Sequence, residues 1–299
     1  MKKVIKSAGV CLLFILMYFG IQFLVSTVIN TVSGYKVSAA LVAEGVDVTS
    51  EEFVTLYYER ANEFVAENLG IVSFVSSLIS CAVIFLIALG SKKRAARNEG
   101  RSLSAKEAMG GVVKELGIRK ISAVKTVLSI LAGFGLIAVI NGVLSVLPLP
   151  EWLISSYSSA SSFITGSSLV GQIIGVVIAP ALAEEILFRG VILGRLKKVM
   201  PVWSAVIVSS LAFALVHGNP LWIAYTFVMG LLVAMIDVKY DSIVPGMIMH
   251  FMFNLYGCLA ATLMLPLIVY IGYILIGAGI FVMLLSGGIS RNKERTALC

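Results

Sequence analysis

Along the chain, apolar runs of about 20 residues alternate with short charged segments, the spacing expected of helices that cross a hydrocarbon layer about 30 Å thick. Eight such windows stand out, at about 8–30, 69–90, 126–147, 168–194, 201–218, 219–237, 243–263 and 265–286. The ten-residue alternating segments of a membrane barrel are missing. Helices and closed barrels are the only structures that satisfy every backbone polar group in lipid. The pattern therefore predicts an all-α, polytopic membrane protein of about eight transmembrane helices. The first run follows Lys2, Lys3 and Lys6; it is longer than a signal-peptide core and lacks a small-residue cleavage site, so it reads as an anchor.

The segments between the runs differ in character. Residues 31–68 are acidic, with Glu44, Asp47, Glu51, Glu52, Glu59, Glu63 and Glu67. Within them, Phe53, Leu56, Tyr57, Phe64 and Val65 recur at helical spacing, which predicts an amphipathic helix on the outer surface over 50–67. Residues 91–125 are basic and contain Ser104 and Glu107, the spacing of a capping box. The serine-rich stretch 154–168 reads as a linker or a short re-entrant turn. No internal repeat of the transporter kind is visible. Three regions follow: 1–125, two helices with an acidic and a basic loop; 126–264, a helical core; and 265–299, a last helix with a basic tail.

Composition sharpens this reading. The 299 residues are 59% hydrophobic and 13% charged, against about 25% charged in soluble domains. Basic residues set the orientation. With the N-terminus in the cytoplasm and eight alternating helices, only Lys36 and Arg60 of the 23 lysines and arginines fall outside. That asymmetry predicts N-in and C-in, multi-pass in the cell membrane. The net charge of +7 sits in juxtamembrane loops facing the bilayer and argues for no nucleic-acid partner. The four cysteines, Cys11, Cys81, Cys258 and Cys299, lack metal-site spacing.

Against this background the polar residues inside apolar runs are conspicuous, because ionisable groups in hydrocarbon are costly and mark function. One run carries Glu184, Glu185 and Arg189; the chain's two histidines lie in others, as Phe213-Ala-Leu-Val-His217 and His250-Phe-Met-Phe-Asn254. Glu185 and Arg189 are four apart, acid first, the favourable order for an ion pair on one helix face. Adjacent Glu184 points about 100° away, so the two acids are expected to have separate tasks, with Glu184 left available as a general base. Glu184 precedes Arg195, Lys197 and Lys198 by 11–14 residues, which is roughly 17–21 Å of helix and places it well inside the layer. The plainer readings are solvated helix-end acids and histidines or an asparagine used as packing glue. A carboxylate, two imidazoles and an amide suffice to polarise water and to stabilise an oxyanion. Glu184, His217 and His250 could instead bind zinc with a position left for water, although no HExxH helix is present.

These three motifs resemble those of the CPBP intramembrane proteases, a family that includes the type II CAAX prenyl endopeptidases and bacteriocin-processing and self-immunity proteins. The family's EExxxR, FxxxH and HxxxN patterns appear here intact and in order at Glu184–Arg189, Phe213–His217 and His250–Asn254. The resemblance covers about 126–264. It implies an intramembrane endopeptidase in which Glu184 and His217 activate water, His250 and Asn254 stabilise the oxyanion, and Glu185 and Arg189, with Phe213, support the site. It requires no cofactor, with zinc as the alternative. Expected substrates are peptides or membrane proteins within the bilayer, bacteriocin or peptide-pheromone precursors among them. Two further readings compete: a non-catalytic immunity or regulatory protein of the same fold, and a proton-coupled transporter in which the same groups relay protons.

Overall fold

The computed structural model describes residues 2–165, 168–260, 277 and 279. Those residues are helical or in turns, and no strand occurs among them. The chain is an all-α polytopic membrane protein. Apart from positions 277 and 279, the expected helix 265–286 lies outside the described residues.

The first two helices exceed their expected lengths. α1 spans Lys2–Ala43 and α2 spans Glu51–Asn98, with 42 and 48 residues; at 1.5 Å per residue each is roughly twice the thickness of a 30 Å hydrocarbon core. The windows 8–30 and 69–90 are thus the apolar middles of longer rods. The amphipathic segment 50–67 is not a separate surface helix but the first part of α2. Nothing breaks the helix at its join: Asn68 folds its amide back onto the Phe64 carbonyl at 2.7 Å. Ser50 caps α2 by accepting the Phe53 N–H at 3.0 Å, and Glu51 and Glu52 complement the helix dipole. Beyond the apolar stretch the rods hold each other: Ser33 donates to the Ala61 carbonyl at 3.3 Å, Lys36 Nζ sits 5.4 Å from the Phe64 ring centroid, and Arg60 grips both Glu44 oxygens at 2.6 and 2.9 Å.

α3 (Ala105–Glu115) starts at the expected capping box of Ser104 and Glu107. α4 spans Ala123–Val146. The serine-rich stretch is helical, contrary to the linker reading: α5 spans Glu151–Thr165. Leu153, Tyr157, Ala160 and Ser161 are its half-buried positions, a helical stripe that the many serines obscure.

Residues 169–196 form one helical run, α6, wound as π-helix over Ile173–Ile178 and Ile186–Leu193. Carbonyls in these stretches accept side-chain hydrogen bonds from neighbouring helices, as π-turns at functional sites commonly allow: Gly175 from Ser73, and Phe188 from Ser209 at 2.8 Å. α7 (Val202–Leu215) follows Pro201. α8 (Pro220–Tyr240) is capped by Asn219, with Pro220 pre-set for the first turn. α9 covers Val244–Ala260. Glycine contacts bring helices to backbone distance. A Cβ on Gly175 would lie 2.3 Å from the Gly70 Cα, and one on Gly133 would lie 2.5 Å from the Met249 carbonyl. Gly171 and Gly175 form a small-xxx-small face of the kind that joins membrane helices, and it fastens α2 to α6.

Candidate active site

The site is built on α6. The ion pair expected from spacing is present: Arg189 Nε lies 3.2 Å from Glu185 Oε2, with both side chains fully buried. Arg189 also donates to the Gly230 carbonyl at 3.2 Å, and its guanidinium lies 4.3 Å from the Phe213 ring centroid. Ion pairing, ring stacking and a single donated hydrogen bond hold this delocalised cation out of water. Phe213 is the hub. Its ring meets Phe188, His217 and His250 edge-on, with centroids 5.4, 4.9 and 5.7 Å apart. One phenyl ring thereby spaces the arginine and both imidazoles.

The two histidines are held by different acceptors. His217 Nδ1 lies 2.8 Å from the Phe213 carbonyl; a carbonyl only accepts, so Nδ1 carries the proton and Nε2 of the neutral ring keeps its lone pair. His250 Nδ1 lies 2.9 Å from Glu185 Oε1, while its Nε2 is 3.9 Å from Glu184 Oε2. The adjacent acids were expected to serve separate tasks, and Glu185 is the one paired with Arg189. They leave the helix in different directions, but one imidazole spans the gap and faces each acid with one nitrogen. Glu184 Oε2 has no hydrogen-bond partner among the described residues. Asn254 donates its amide to the Val176 carbonyl at 3.0 Å, in the first π-wound stretch, and has a second N–H left to give.

Glu184, His217, His250 and Asn254 line one cavity of about 530 Å³. Ile137, Trp222, Tyr225 and Met229 form much of its apolar wall, and Tyr157 and Ser161 of α5 line it too. All four expected site residues therefore share one cavity, with Glu185, Arg189 and Phe213 packed behind. Among the described residues no group of three His, Cys, Asp or Glu side chains is close enough to hold a metal ion, while the Nδ1 contact of each histidine leaves its Nε2 for water or a ligand.

Tyr18 and Asp237 are among the polar residues that were not anticipated. Tyr18 of α1 points its hydroxyl at Glu184 Oε1, 3.5 Å away. Asp237 of α8 is buried and accepts the Gly246 N–H at 2.8 Å. A Cβ on Gly246 would lie 2.5 Å from the Asp237 carboxylate and 2.6 Å from Val233 Cγ1, so a larger residue there requires those side chains to shift. The signal for Asp237 was legible, since it ends an apolar run as Met235-Ile236-Asp237. A lone tyrosine in an anchor gave none.

Residues 166–256 match the family described as Type II CAAX prenyl endopeptidase Rce1-like. The matched span contains all three motifs and supports the resemblance to the CPBP proteases; it does not single out the bacteriocin-processing branch. No curated protein and no solved structure matches the chain.

Proposed function

We propose, on the family placement of residues 166–256 and the geometry around Glu184, that the chain is an intramembrane endopeptidase using glutamate-activated water. The observation that carries the reading is the convergence of a carboxylate oxygen without a partner and two oriented imidazoles on one apolar-walled cavity. Water admitted to that cavity is held between Glu184 and His217 Nε2. Glu184 takes one of its protons as the oxygen attacks the scissile carbonyl carbon. The tetrahedral oxyanion lies against His250 and the free amide N–H of Asn254. Because Nδ1 of His250 faces Glu185, donation from Nε2 to the oxyanion uses the doubly protonated ring. When the C–N bond breaks, the proton held by Glu184 passes to the leaving amine, giving one carboxyl and one amine product. Arg189 and Glu185 act through position: they fix the imidazole that meets the oxyanion.

The apolar wall suits peptide segments already in the membrane, and peptide precursors or membrane-embedded helices are the proposed substrates. Comparing membrane peptidomes of cells carrying wild-type and Glu184→Ala protein tests this. The expected result is a precursor that accumulates uncut only in the variant. Identical peptidomes, with immunity or signalling preserved, would instead support a non-catalytic role. A chelator added to the purified enzyme is expected to leave its rate unchanged.

A further inference from the structure

α1 lies outside the segment that matches the protease family, yet it reaches the reacting carboxylate. Most of its side chains are exposed or half-buried, among them Phe19, Phe23 and Leu24. Cys11, Phe14 and Tyr18 are buried and repeat at helical spacing, a stripe turned toward the core cluster that includes Ile186 and Leu187 of α6. Phenylalanine would fill the last of these places equally well. A buried hydroxyl is costly unless it finds a partner, and the Tyr18 hydroxyl lies against Glu184 Oε1. Its 3.5 Å is long, as hydrogen bonds in substrate-free sites often are before they tighten. The other oxygen, Oε2, is the one near His250 and without a hydrogen bond.

We infer that Tyr18 is a positioning residue for the reaction: it engages Oε1 of Glu184 and so directs Oε2 toward water and His250. The site is then completed by a helix from the N-terminal pair. The inference rests on Glu184 being the base.

The test uses full-length protein purified in detergent and the precursor that accumulates in Glu184→Ala cells, synthesised as a quenched-fluorescent peptide. Tyr18→Phe keeps the ring and removes the hydroxyl. It is expected to lower kcat about tenfold with KM and melting temperature unchanged, and to displace the acid-side midpoint of the kcat–pH profile. Packing alone would move none of these, because the ring remains. Tyr18→Phe with wild-type kcat and pH profile overturns the inference. Tyr18→Ala separates the roles: it loses stability as well as kcat, and stability loss with full kcat also overturns it. Glu184→Gln is run alongside. If it stays active, the assignment of the base fails; if it is inactive while Tyr18→Phe is wild type, only the role of Tyr18 fails.

Discussion

Two glutamate–arginine pairs show how differently the same chemistry acts in two regions. In the projecting hairpin, Glu44 and Arg60 approach to 2.6 Å, with side chains 48% and 37% exposed. In α6, Glu185 and Arg189 are 3.2 Å apart with no exposure at all. Distance alone would rank the first pair stronger. Water reverses the order, since exposed charges lose little when separated, whereas each buried one has no other partner medium. Arg60 beside Glu44 still holds that carboxyl below its usual range, a local effect on a side chain that solvent would otherwise satisfy. The buried pair has consequences beyond itself, because Arg189 also contacts Gly230 and Phe213 and Glu185 orients His250.

The contrast can be broken by substitution. The largest effect is expected from Arg189→Ala, which strands Glu185 in the core at a cost of about 3–5 kcal/mol; folded, monodisperse protein in detergent should be largely lost. Glu184→Gln is expected to leave folding intact and to lower the cleavage rate about 10²–10⁴-fold, the range for removal of a general base, read with the fluorescent peptide. Gly70→Ala would drive a methyl to within 2.3 Å of the Gly171 carbonyl. An overpacking cost of about 1–3 kcal/mol should lower the detergent melting temperature, with a smaller loss of activity. Arg60→Ala should change neither melting temperature nor rate. A large loss there would show that the hairpin pair is coupled to the core.

Legibility followed the range of the interaction. The Glu185–Arg189 pair and four polar residues of the cavity, Glu184, His217, His250 and Asn254, were readable because helical spacing and apolar runs are local signals. What the residues touch was less so. Spacing paired His250 with Asn254, yet in space His250 meets both glutamates and Asn254 holds the Val176 carbonyl. Such partners depend on how helices rotate against each other, and the π-wound stretches alter that rotation without a sequence mark. Tyr18 is 166 residues from its partner. The extent of α1 and α2 went unread for another reason: hydropathy detects lipid-length segments, and a helix that continues into polar sequence keeps its backbone but loses the signal.

The contact of Gly70 with Gly171 and Gly175 also bears on the order in which the protein is assembled. About a hundred residues separate the two sides of that contact, and ribosomes add roughly 5–20 residues per second. The first two helices therefore wait about 5–20 s for the segment they clasp. During that interval they are stabilised by what they share, including the Ser33–Ala61 hydrogen bond, the Lys36–Phe64 contact and the Glu44–Arg60 pair. Contacts that add little to the finished molecule are thus among those available to hold the nascent pair together until α6 is made.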